Sequence, residues 1–199
     1  MPPRLIVVSG PSGVGKSSIV EAVRDRTGAG FSVSATTRPP RSGERDGVDY
    51  HFVGDDEFDA LVAEDRLLEW AVYGGHRYGT LRREVEALLG EGRDVILDIE
   101  NEGAKQVKER FPEAVAIFVL PPSLAELERR LRRRGDTPGE EIARRLELAA
   151  AQMAEAPRVY DHIVVNDVLD AAVDEVVAIL GASDASARAS ESHRSTSPC

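Results

Sequence analysis

The sequence predicts an α/β fold: a parallel sheet flanked by helices, interrupted by a mixed α/β insertion and a helical lid. Three observations carry this. Short runs rich in Val, Ile and Leu recur at residues 5–8, 95–99, 114–120 and 162–165 and end at polar or turn residues, as strands buried on both faces do. Amphipathic helical patterns fill the spaces between, at 17–27, 78–90, 102–111, 124–134, 140–156 and 169–180. Strands alternating with helices at this spacing build a sheet covered on both faces. Finally, a Gly-rich loop joins the first strand-like run to the first helical one.

That loop is Gly10-Pro-Ser-Gly-Val-Gly-Lys-Ser17, which fits G-x-x-x-x-G-K-[ST] at every fixed position. Its strand–loop–helix setting separates a phosphate loop from a chance match. Gly10, Gly13 and Gly15 let the backbone curl and aim its N–H groups inward, and Pro11, Ser12, Val14 and Ser18 complete the expected nucleotide-binding loop. The following helix adds a field that favours an anion. Lys16 is placed to reach the β- and γ-phosphates of a nucleoside triphosphate, and the Ser17 hydroxyl to sit on Mg²⁺. The competing reading is a Gly-rich turn that holds no ligand.

Residues 31–77 break the alternation. Runs at 31–37, 50–53 and 68–73 read as short strands in a partly antiparallel insertion, and residues 38–47 read as a loop. Ser34, Thr36, Thr37, Arg38, Arg41 and Tyr50 cluster there. Two arginines three residues apart beside hydroxyls and an aromatic could grip a phosphate monoester, although charged loops often only solvate. Glu69 interrupts an apolar run, and Asp98 and Glu100 close another on one face by strand parity. Carboxylates beside a phosphate loop suit a Mg²⁺-organising role. They also accept from the paired donors of a guanine edge, which adenine lacks. The competing readings are water-facing acids and strand-end salt bridges. The run Arg129-Arg-Leu-Arg-Arg-Arg134 is repulsive unless anions neutralise it, which suits a lid closing on phosphates. Arg129, Arg132 and Arg133 also fit a solvated helix face.

At 199 residues the chain is about one domain. We assign 1–33, 81–124 and 150–181 to the core, 34–80 to the insertion, 125–149 to the lid and 182–199 to a disordered tail. A net charge of −10 argues against a general nucleic-acid or membrane-surface binder. The sole cysteine, Cys199, excludes an intramolecular disulfide. Residues 1–9 lack a signal-peptide core, and no run approaches the ~20 apolar residues of a membrane span. A cytoplasmic protein is expected, as monomer or homodimer.

The segments Ser9-Gly-Pro-Ser-Gly-Val-Gly-Lys-Ser-Ser18, Ser34-Ala-Thr-Thr-Arg-Pro-Pro-Arg-Ser-Gly-Glu44 and Gly47-Val-Asp-Tyr-His-Phe52 resemble motifs of the guanylate kinase family, P-loop enzymes that phosphorylate GMP with ATP. Glu69, Tyr78-Gly-Thr80, Leu97-Asp-Ile99, the Arg-rich lid and Val165-Asn-Asp167 extend the likeness over residues 4–180. The resemblance implies a P-loop kinase fold, GMP and dGMP as acceptors, ATP with Mg²⁺ as donor, and a place in purine nucleotide metabolism. It implies that Ser34, Glu69 and Thr80 contact guanine, while Arg38, Arg41, Tyr50 and Tyr78 clamp the GMP phosphate. Lys16, Arg130, Arg134 and Arg145 surround the transferring phosphate, Asn166 lies near adenine, and Asp98 lies near Mg²⁺ and substrate. One turn departs from the family pattern. Where the family reads Asp-x-Gln-Gly, this chain reads Glu100-Asn-Glu-Gly103. Glu100 keeps the carboxylate with one more methylene, and Glu102 replaces an amide with a charge. The rival readings are a phosphate-loop kinase for another small acceptor and a non-catalytic binding module.

Overall fold

The computed structural model describes residues 2–134 and 139–194, with side chains up to residue 181 apart from Arg134 and Glu140. In chain order the elements are β1 (Leu5–Ser9), α1 (Lys16–Thr27), β2 (Gly30–Phe31), β3 (Ser34–Thr36), β4 (His51–Phe52), α2 (Asp55–Ala63), β5 (Leu67–Tyr73) and β6 (His76–Leu81). They continue with α3 (Arg82–Gly90), β7 (Val95–Asp98), α4 (Asn101–Arg110), β8 (Val115–Leu120), α5 (Leu124–Arg134), α6 (Gly139–Val159), β9 (His162–Val165) and α7 (Leu169–Arg194).

The central sheet is parallel, in the order β2-β7-β1-β8-β9. Strand alternation sorts its side chains onto two faces. Ile6 and Val8 of β1 join Ile117 and Val119 of β8 against α1 and α7. Leu5 and Val7 join Ala116 and Phe118 in a core under α3, α4 and α6. All five residues of β1 are buried, as a strand covered on both sides must be. The phosphate-loop sequence leaves the carboxyl end of this central strand, beside the carboxyl end of β7 and its Asp98. Open parallel sheets place ligands at such ends.

The insertion forms a second sheet, β4-β3-β6-β5, with its own small core of Ala35, Phe58, Leu61, Leu67 and Leu81. The pairing of β5 with β6 slips between Leu67 and Glu69. This bulge lets Leu67 and Trp70 both meet Phe58, while Leu68 joins the central core and Glu69 faces α4.

Several sequence expectations change here. Residues 78–81, read as the start of a helix, are the end of β6, and α3 begins at Arg82. Tyr78 and Gly79 pair with strands on both sides, and Gly and Thr are weak helix formers. The run 31–37 divides: Phe31 belongs to the central sheet and Ser34–Thr36 to the second. Helix α2 is an addition, with Asp55, Asp56 and Glu57 in its first turn and Phe58 and Leu61 buried on one face. Helix α7 runs on to Arg194, where an unstructured segment was expected from 182. Alanine is the strongest helix former, and alanines recur through this stretch. Residues 135–138 of the expected lid and 195–199 of the expected tail lie outside the described residues. Among the described residues no helix is long and apolar enough to cross a membrane.

Candidate active site

A cleft of about 850 Å³ opens between the two sheets. Of the expected site residues whose side chains are described, all but Gly10 and Thr80 line it. Gly10 lies behind it: a Cβ there would stand 2.4 Å from the Val119 carbonyl oxygen, so the loop must leave β1 without a side chain. Gly15, at φ 101°, is the N-cap of α1, and a Cβ there would stand 2.5 Å from Asn166 Nδ2.

Asn166 sits at that distance for a reason. Its amide donates to the Val14 carbonyl at 2.8 Å, which fixes the phosphate loop against the end of β9. Arg130 reaches the same place from α5, donating to the Val14 carbonyl at 3.2 Å and to the Asn166 carbonyl at 2.9 Å. Its Nε donates to Glu126 at 2.8 Å, and Arg129 also pairs with Glu126, while Arg132 pairs with Glu128. The basic run on α5 is therefore neutralised largely by glutamates one turn back, not by ligand anions alone. Arg133, expected on a solvated face, lines the cleft with Arg145, whose Nε donates to Glu141 at 3.1 Å. The Arg134 side chain lies outside the described residues.

Lys16 Nζ donates to the Gly10 carbonyl at 2.9 Å and stands 3.7 Å from Asp98 and 3.9 Å from Glu100. Burial opposes its charge, but Glu100 and Asp98 outweigh that and hold its pKa above the ordinary lysine value. Ser17 Oγ donates to Asp98 Oδ2 at 3.2 Å. A hydroxyl, a carboxylate and an ammonium thus meet at the start of α1.

Across the cleft, Ser34, Thr80 and Glu69 share one row over β3, β6 and β5. Thr80 Oγ1 donates to Glu69 Oε1 at 2.5 Å, and Glu69 is only 4 % exposed. Burial pushes the Glu69 carboxyl up to about 7. The bonds from Thr80 pull against this, and Glu100 adds to it. Arg38 is braced: its terminal nitrogens bond both Glu44 oxygens at 2.9 Å, and its plane lies over Tyr50 at 5.2 Å. The bond from Glu44 keeps Arg38 above the usual arginine range, and Arg38 in turn holds Glu44 below the usual carboxylate range. Glu44 also accepts from the Arg41 backbone. Tyr50 packs on Tyr78 at 5.9 Å, and burial raises its pKa. Arg38 is thus an oriented arm with its fork engaged, whereas the Arg41 charge acts on the same Glu44 only as a weaker influence.

Sequence reasoning did not assign roles to Glu44, Glu126, Arg133 or Gly103. The spacing of Glu126 before Arg129 and Arg130 was a readable signal for one of these.

This arrangement of a phosphate loop facing a buried carboxylate and a braced arginine has counterparts in known proteins. The sequence profile described as guanylate kinase matches residues 2–183. The chain belongs to the guanylate kinase family. It is 54% identical over 179 residues to a guanylate kinase of Thermus thermophilus, covering 90% of this chain and 81% of that protein. It is 52% identical over 170 residues to one from Thermosynechococcus vestitus, covering 85% and 88%. The crystal structure of guanylate kinase from Anaplasma phagocytophilum superposes with a TM-score of 0.73 at 32% identity, over 91% of this chain and 86% of that one. For this member of the guanylate kinase family, the phosphate loop and the second sheet are the two sides of one cleft.

Proposed function

We propose that the chain transfers the γ-phosphate of ATP to GMP, giving ADP and GDP, with the donor on residues 10–18 and the acceptor against the second sheet. The observation that carries this reading is the row Ser34–Thr80–Glu69: Ser34 and buried Glu69 line the cleft opposite the phosphate loop, and buried Thr80 holds Glu69 from behind. Ionised Glu69 accepts from the guanine N1–H and N2–H₂ groups, which adenine cannot supply. Arg41, oriented Arg38, Tyr50 and Tyr78 hold the GMP phosphate.

Phosphoryl transfer asks the protein for alignment and charge stabilisation. Lys16, Arg130, Arg134 and Arg145 offset negative charge on the transferring group. No general base is needed, because the attacking phosphate is largely dianionic at pH 7 (second pKa ~6). Ser17 and Asp98 are hard oxygen donors in contact, and they fit Mg²⁺. Among the described residues no cluster of three or more His, Cys, Asp or Glu forms a metal cage. That suits an ion ligated mainly by phosphates and water. When bound, Mg²⁺ supplies charge neutralisation at the phosphates.

An ADP-release assay across GMP, dGMP, IMP, AMP, CMP and UMP tests the reading. GMP and dGMP are expected to dominate kcat/KM. Equal or faster turnover of AMP would refute it.

A further inference from the structure

We infer that Gly103 is the specificity-positioning residue of this site: its missing side chain is the space in which the Glu69 carboxylate sits. The inference rests on the reading that Glu69 contacts the guanine base.

Gly103 is buried at the third position of α4, inside the turn where the chain departs from its family. A Cβ built there would stand 2.0 Å from Glu69 Oε2 and 2.8 Å from Glu69 Cδ. Neither distance is tolerable, so a methyl group and this carboxylate position exclude each other. The obstructing atoms are the far end of a side chain, not backbone. The fold can therefore accept the methyl by turning Glu69 aside, and alanine is intrinsically better than glycine in a helix. Stability and substrate recognition should then move in opposite directions.

The other Glu69 oxygen is fixed by Thr80 Oγ1 from β6. Glu69 is thus clamped between a donor on one side and the open backbone of α4 on the other. Oε2 lies against the first turn of that helix, where backbone N–H groups have no helical partner and the field favours a carboxylate. Displacing the carboxylate removes it from this field and from its alignment with Ser34 and Thr80. Gly103 touches no reacting atom, so it acts through Glu69.

The test compares Gly103→Ala, Glu69→Ala and the double variant by steady-state kinetics and thermal melting. Gly103→Ala is expected to raise KM for GMP about tenfold or more, the loss of a hydrogen bond to a charged group. KM for ATP should be unchanged and Tm equal to or above wild type. Preference for GMP over IMP, which lacks the N2 amino group, should fall. Adding Gly103→Ala to Glu69→Ala should cost nothing further, because the carboxylate is already gone. A Tm drop in the single variant that Glu69→Ala reverses would also support the contact. Wild-type KM for GMP in Gly103→Ala, an additive penalty in the double variant, or an equal rise in KM for ATP would each overturn the inference. If Glu69→Ala itself leaves KM for GMP untouched, the reading of Glu69 fails first. If Glu69→Ala is damaging and Gly103→Ala silent, only the role of Gly103 fails.

Discussion

The proposed contact of Glu69 with guanine predicts GMP binding that depends on pH in a direction opposite to the effect of Glu69 on stability. Its carboxyl is raised from an ordinary 4.5 to about 7, chiefly by burial. Guanine offers donors, so the ionised form binds and the protonated form does not. With a pKa near 7 in the free protein, GMP Kd should rise about tenfold from pH 8 to pH 6. The GMP phosphate titrates near pH 6 as well and adds roughly twofold. Glu69→Gln retains that phosphate contribution and loses the carboxylate one. The affinity ratio of wild type to Glu69→Gln, measured by calorimetry, should therefore shrink about tenfold between pH 8 and pH 6. The stability side has the reverse sign. Between pH 4.5 and 7 the folded protein holds a proton that the unfolded chain releases. Stability is thus lost as pH rises through this window, by about 3 kcal/mol once it is passed. For a chain of this size that is roughly 6–12 °C in Tm, visible as a widening gap below Glu69→Gln from pH 5 to pH 8. An affinity ratio that stays flat from pH 8 to pH 6 would refute the reasoning.

Two further outcomes follow from the braced cations. Lys16→Ala should lower kcat at least 100-fold, the scale of losing one preorganised charge contact, with Tm changed by only a few degrees; rapid-quench kinetics and melting check both. Glu44→Ala releases Arg38 and should raise KM for GMP about tenfold while leaving KM for ATP within twofold, read from paired substrate titrations.

The parts of the fold legible in the sequence are those whose physics is local. Buried parallel strands appear as unbroken apolar runs, and residues 162–165 match β9 in full. The phosphate loop is legible because glycine, lysine and serine are needed at fixed offsets. The boundary between β6 and α3 was not legible, because pairing with β3 and β5 claims Tyr78 and Gly79. Helix α2 was partly legible, in its acidic first turn and the spacing of Phe58 and Leu61. In the site, the clustering of Ser34, Arg38, Tyr50 and Glu69 could be anticipated from residue types. Their bracing could not. The bulge at Leu68 that turns Glu69 toward α4, and the proximity of Gly103, exist only once segments remote in sequence are packed together.

The two departures from the family pattern have unequal consequences. Glu102 points away from the cleft into an exposed pair with Lys105 at 2.8 Å, so its added charge is spent on a helix surface. Glu100 lines the cleft, faces Lys16 at 3.9 Å and raises the pKa of Glu69. Its longer side chain therefore bears on the phosphate-loop lysine and on Glu69 at once. This fits the charge around the cleft, where among the described residues Lys16, Arg38, Arg41, Arg130, Arg133 and Arg145 face Glu44, Asp98, Glu100, Glu126, Asp167 and a Glu69 whose pKa is raised to about 7. Most of these cations have a carboxylate beside them. The advantage lies in orientation: Glu44 sets Arg38, Glu126 sets Arg130, and Asp98 with Glu100 sets Lys16. Cations fixed in advance need little reorganisation as charge moves between phosphates, which is where preorganised groups lower a barrier most.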